Sequence, residues 1–123
     1  MDIVSASTFS NNVVWFENLN GQGEYGDPRL IVDVGWFGVD YLYVADLDGD
    51  IDPDVLILKD LEYLLFSNLL KPSSFFSEPQ NLQMTAGSLI IMDLNGDELP
   101  DILGQIGQNV GWFENTSGGF RIG

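Results

Sequence analysis

Apolar residues in this chain come in short runs, separated by Gly, Asn, Asp, Ser and Pro. The runs YLYVA (41–45), DVLIL (54–58) and SLIIM (88–92) are strand-like in length and rich in β-branched and aromatic residues. In YLYVA both faces are apolar, with Leu42 and Val44 on one side and Tyr41, Tyr43 and Ala45 on the other. SLIIM behaves alike. A strand of this kind has to be covered on both faces, so the pattern predicts sheets stacked on sheets. No stretch sustains a 3.6-residue period. KDLEYLLFSNLL (59–70) comes closest to one, but it aligns with strands elsewhere in the chain.

That alignment follows from an internal repeat. WFEN occurs at 15–18 and again at 112–115, and LFSN stands at 65–68 in the matching place. Ahead of these come DIV from Asp2, DVL from Asp54 and DIL from Asp101, about fifty residues apart. After each follows a turn ending in an aromatic: GQGEY (21–25), PSSFF (72–76) and SGGF (117–120). Two copies continue into Pro28 and Pro79. An acidic loop completes the unit, DLDGDIDPD at 46–54 and DLNGDELPD at 93–101, each preceded by an apolar run. One repeat therefore reads as strand, acidic loop, strand, short turn, WFEN strand, Gly-rich turn and final strand.

Four short strands in about fifty residues predict an all-β chain of β-propeller blades, each a four-stranded antiparallel meander. Residues 1–123 form a single segment of three repeats, about 1–37 (partial), 38–85 and 86–123 (partial). Asp2 matches the last position of an acidic loop, and Gly123 falls barely into the last strand of the third unit. The expectation is about two and three-quarter blades. A closed ring normally needs at least four, so the expected state is a homo-oligomer or a fragment of a larger propeller.

Composition narrows the functions open to such a chain. Hydrophobic residues make up 45% of 123, enough for a packed core. Nineteen acids against four bases give a formal charge of −15. Nucleic acid is a poor partner for that balance, and so is an anionic membrane surface. No run is long and apolar enough for membrane insertion. The chain has no cysteine and no histidine, which removes thiolate chemistry, disulfides and the commonest general base. With no nucleophile elbow or phosphate loop, and its clustered acids already in the loops, the chain is not expected to be an enzyme.

The acidic loops carry the chemistry. Calcium takes six to eight oxygen ligands at ~2.3–2.6 Å, and a short loop supplies them only if alternate side chains point inward. Asp46, Asp48 and Asp50 have that alternation, and Gly49 allows the turn between them. The carbonyl of Asp52 and the side chain of Asp54 complete the first expected shell. The second is Asp93, Asn95, Asp97, the Leu99 carbonyl and Asp101, where Asn95 keeps an oxygen and sheds a charge. Without an ion, carboxylates ~4 Å apart repel by about 4 kcal/mol at an effective dielectric of ~20. Magnesium, which demands a rigid octahedron, fits less well. Two Ca2+ sites are therefore expected.

The pattern D-x-[DN]-G-D-x-x-x-D before an apolar strand, with WFEN and a Gly-aromatic turn downstream, resembles the FG-GAP/VCBS repeats over almost the whole chain. These are the blades of integrin alpha-subunit propellers and of many secreted bacterial proteins. The resemblance implies a β-propeller with calcium in the loop joining the first two strands of a blade, held at the positions just named. It also implies a role in extracellular or cell-surface binding and adhesion, with a protein or glycan ligand. Some fungal lectins resemble the same repeats and bind sugars between blades. Two positions depart from the family pattern. The sixth loop residue, often Gly, is Ile51 and Glu98 here, and the middle repeat replaces the Trp and Glu of WFEN by Leu65 and Ser67.

Trp15 and Trp112 suit a sugar-stacking platform or a core, and a strand apolar on both faces favours the core. Asn18, Asn68 and Asn115 end their strands before a turn and are expected to be structural. Glu17 and Glu114 are expected on a solvated face.

Overall fold

The computed structural model describes residues 1–7, 9–36, 38–71, 74–84, 89–116 and 119–122. Among the described residues it is all-β, and every strand pairing is antiparallel. Three sheets succeed one another, each within one of the sequence repeats. The first joins β1 (Ile3–Ser7), β2 (Asn12–Phe16) and β3 (Arg29–Asp33) in chain order. The second joins β4 (Tyr41–Ala45), β5 (Asp54–Lys59), β6 (Glu62–Phe66) and β9 (Gln80–Asn81). A separate hairpin, β7 (Asn68–Lys71) with β8 (Ser74–Phe76), lies between β6 and β9. The third sheet joins β10 (Ile90–Met92), β11 (Asp101–Ile106), β12 (Asn109–Thr116) and β13 (Gly119–Ile122).

The repeat is repeated in register. Ile3 pairs Phe16, Val55 pairs Phe66 and Ile102 pairs Phe113, so the strand after each Asp meets the WFEN-type strand at one equivalent residue. The helical-looking 59–70 run folds as β6 and the start of β7. Asp60 and Leu61 take positive φ (50° and 68°), the backbone of a tight two-residue hairpin that follows the twist of its strands.

Two details differ from expectation. The last strand of the third unit is not barely begun, because β13 pairs with β12 from Phe113 to Thr116 and completes a four-stranded sheet. The turn-and-aromatic segments are also not alike. Gly119 and Phe120 of SGGF lie in β13, whereas Ser74–Phe76 of PSSFF form β8, and GQGEY closes a smaller hairpin, bridged between Asn18 and Tyr25; Pro72, Ser73, Ser117 and Gly118 lie outside the described residues. The prolines at 28 and 79 mark where those two chains re-enter their sheets.

The faces of the middle sheet explain the two-sided apolar pattern. Val55, Ile57 and Phe66 form one buried cluster with Val13, Val34 and Val39, backed by Val4 and Ala6 of the first sheet. Leu56, Leu58, Tyr63 and Leu65 point the other way, into a cluster with Leu82, Met84, Leu89, Ile102 and Phe113. Strand β5 alternates between these clusters and is buried from Asp54 through Leu58. Burying a Leu- or Phe-sized side chain is worth about 1.5–3 kcal/mol, so this strand anchors both interfaces.

Candidate metal centre

Both acidic loops are built from one set of local hydrogen bonds. The N–H groups of Gly49 and Ile51 donate to the two oxygens of Asp46, at 2.8 and 2.9 Å. In the second loop those of Gly96 and Glu98 donate to Asp93, at 2.6 and 3.0 Å. The N–H of Asp50 donates to Asp48 at 3.2 Å and that of Asp52 to Asp50 at 2.9 Å. The same steps recur from Asp97 to Asn95 at 3.0 Å and from Leu99 to Asp97 at 2.9 Å. This winding requires positive φ at Gly49 and Gly96, and again at Ile51 (80°) and Glu98 (72°). A side chain there costs about 1–2 kcal/mol. The departure from glycine at the sixth position is thus a real strain in both loops.

The winding gathers Asp46, Asp48 and Asp50, whose ligand oxygens lie within 4.8 Å of one another. Asp48 and Asp50 face solvent and Asp46 is half-buried. The ion pairs join Glu17 to Arg29, Glu114 to Arg121 and Lys59 to Asp60; among the described residues none reaches a loop carboxylate. The donor set is therefore three hard, anionic oxygens, none of them ion-paired among the described residues, which could hold a hard metal cation. Asp48 is held above the usual carboxylate range, first by desolvation and then by its neighbours Asp50 and Asp46.

Asp54 and Asp101, expected to close the two shells, each brace a loop against the neighbouring strand. Each is fully buried. One oxygen of Asp54 accepts the Leu47 N–H and the other the Asn68 N–H, both at 2.8 Å. Asp101 accepts those of Leu94 at 2.9 Å and Asn115 at 2.8 Å. Asp2 repeats half of the device, accepting the Asn18 N–H at 2.9 Å. The asparagines reciprocate, donating side-chain N–H to the carbonyls of Met1, Pro53 and Pro100. An Asp–Asn clasp thus ties each loop end to its WFEN-type strand in all three units. Burial pushes the Asp54 carboxyl up to about 6 against its two backbone donors, and the negative charges of Asp48 and Asp50 add to the rise.

The second loop is electrostatically calmer. Asp93 is held below the usual carboxylate range, chiefly by the Gly96 N–H. Asn95 turns its amide N–H toward Asp97 at 3.0 Å and Glu114 at 3.2 Å. Glu114 is lowered in turn by its bond to Arg121. The loops also touch: Leu99 packs on Gly49, where an added Cβ would stand 2.7 Å from Leu99 Cδ2.

Comparison with known proteins finds no matching family model, curated protein or solved structure.

The tryptophans lie off the loops. Trp15 is half-buried beneath the Arg29 guanidinium, 5.1 Å from its ring, with Phe75 edge-on at 5.1 Å. Together with Phe76, Val4, Asp2 and Glu17 it lines a cavity of about 600 Å³ between the first two sheets. Trp112 is half-buried, and its indole N–H is buried with no acceptor among the described residues. Glu17 and Glu114 each hold an arginine rather than standing free. The clasp is the feature that sequence reasoning missed. Its signal was present, an Asp opening one strand and an Asn closing the next at matching positions in three repeats.

Proposed function

We propose that the chain is a calcium-stabilised stack of β-propeller-type blades acting as a non-catalytic scaffold for extracellular or cell-surface binding and adhesion. The observation that carries this reading is the convergence of Asp46, Asp48 and Asp50, with no ion pair to any of them among the described residues. The second loop, wound by the same hydrogen bonds, supports it, as does the resemblance to FG-GAP/VCBS blades. Asp46, Asp48, Asp50 and the Asp52 carbonyl would hold the first ion, with Asp54 bracing the loop from behind. Asp93, Asn95, Asp97 and the Leu99 carbonyl would hold the second, braced by Asp101. A bound divalent ion supplies the positive charge that turns mutual repulsion into attraction. The face-to-face burial of the middle sheet supports the blade reading, in which a further blade or a second copy extends the stack.

Calorimetric titration and melting curves test the metal. Saturating one site to ~100 times its Kd stabilises the folded state by about 2.7 kcal/mol. A chelator should therefore lower the melting temperature by several degrees, and calcium should restore it better than magnesium. Asp48→Asn with Asp50→Asn should abolish the first site while the second stays titratable. Identical melting with and without chelator would overturn the proposal.

A second reading, a calcium-dependent lectin, is favoured by one observation: the aromatic cavity around Trp15, with the Asp2 and Glu17 carboxylates on its wall. Reproducible binding of one sugar class on a glycan array, lost in Trp15→Ala, would select it. An array without a reproducible signal would eliminate it.

A further inference from the structure

Each sheet presents two unlike faces, and the chain stacks them in one direction only. The residues two places after the repeat Asp (Val4, Leu56) and their partners across the strand pair (Trp15, Leu65) point toward the following sheet. The residues one place after it (Val55, Ile102) and their partners (Phe66, Phe113) point toward the preceding sheet. We infer that the outer face of the third sheet and the outer face of the first are the two halves of this same interface. A second copy of this chain would then dock head to tail. The inference rests on the blade reading above, and it names the occupant and the contacts.

Position by position, the end faces carry the residues that are covered in the middle. On the third sheet Ile90, Met92 and Val110 occupy the register of Tyr43, Ala45 and Tyr63, which pack on the next sheet. Tyr63 is 1% exposed, and Val110 is 79% exposed. On the first sheet Ile3, 43% exposed, occupies the register of Val55 and Ile102, both at 0%. Phe16 likewise stands half-buried where Phe66 and Phe113 are buried.

A polar key sets the register. The Asn115 amide has two N–H donors. One goes to the Pro100 carbonyl of its own unit at 3.0 Å, the other to the Leu47 carbonyl of the preceding unit's loop. The Leu47 side chain is buried beside this bond, 1% exposed, whereas its equivalent Leu94 is 38% exposed. Asn18 spends one N–H on the Met1 carbonyl. The second is the donor for the Leu94 carbonyl of an incoming copy. Such a contact is heterologous, because one face meets a different face, and it closes into a ring or extends.

Two substitutions at exposed positions separate the faces: Val110→Glu on the third sheet and Ile3→Glu on the first. In sedimentation at physiological salt with calcium, the unmodified chain should associate as concentration rises, and each variant alone should stay monomeric. An equimolar mixture should form 1:1 dimers and nothing larger, since one intact face remains on each partner. Far-UV circular dichroism and melting check that both variants fold. A monomeric parent at high micromolar concentration would overturn the inference. So would self-association of either variant alone, or a mixture of folded variants that does not pair. Calcium titration of the monomeric Val110→Glu protein reads the metal proposal separately, so either idea can fail while the other stands.

Discussion

Asn115→Ala removes a buried side chain whose hydrogen bond ties the third unit to the second. Asn115 is buried, and its amide donates to the Leu47 carbonyl across the sheet interface and to the Pro100 carbonyl in its own unit. Truncation strands both acceptors where water has little access, and a buried polar group left unpaired costs about 1–3 kcal/mol. The expected loss is about 2–4 kcal/mol, a large share of the 5–15 kcal/mol by which domains are stable. Asn18→Ala is the internal control. In the monomeric Val110→Glu background, where both variants are compared, its amide donates among the described residues to the Met1 carbonyl, and its oxygen accepts the Gly21 N–H in an exposed turn, where water substitutes. That change should cost about 1 kcal/mol or less. Urea unfolding of both variants, compared at constant m-value, gives the difference directly. A loss for Asn115→Ala within 0.5 kcal/mol of that for Asn18→Ala would refute the claim that the clasp joins the units.

Three further outcomes are expected. Gly49→Ala should destabilise more than Gly96→Ala, since both glycines have φ near +82° but only Gly49 meets another residue, Leu99, and Leu99→Ala should recover part of the difference; equal losses would contradict the contact. Ile51→Gly and Glu98→Gly should each raise thermal stability by about 0.5–1 kcal/mol, because relief of left-handed strain outweighs the entropy of glycine, and a fall would contradict the loop winding. In chelated protein the Asp54 contribution should be fully present below the ordinary carboxylate pKa near 3.9 and lost as pH rises through about 6, since a raised folded-state pKa favours the protonated form. Unfolding of wild type against Asp54→Asn from pH 4 to 7 checks the direction, and a wild-type advantage that grows with pH would contradict it.

Much of the fold was legible because β-structure alternates with period two and this chain repeats itself. The equivalence of DIV, DVL and DIL, and of WFEN and LFSN, marks six strands and their pairing partners in the string itself. The β7–β8 hairpin was not legible, since Asn68 and Leu69 read as the end of one strand when they begin another. The loops were legible as acidic turns of one register, and the positive φ at Ile51 and Glu98 followed from the positions where glycine is usual. What could not be read was the division of labour among the aspartates. Asp50 and Asp54 look alike in the string, yet one faces solvent beside two other carboxylates while the other is sealed between two backbone N–H groups. Burial decides that, and burial depends on the neighbouring sheet.

Among the described residues the two core clusters each join one sheet to the next, so stability is distributed as in a short one-dimensional array, with terms for each unit and for each contact between units. The middle sheet owns both contact terms, and the outer sheets own one each. Local opening therefore has a gradient: β1 to β3 or β10 to β13 can loosen at the loss of one contact, whereas exposing β5 forfeits two. Amide hydrogen exchange should follow that order, slowest through Val55–Leu58 and fastest in β1, β3, β10 and β13, the edge strands of the two outer sheets. Proteases should likewise trim from the flanks inward, leaving the Asp54 clasp among the last structure to open.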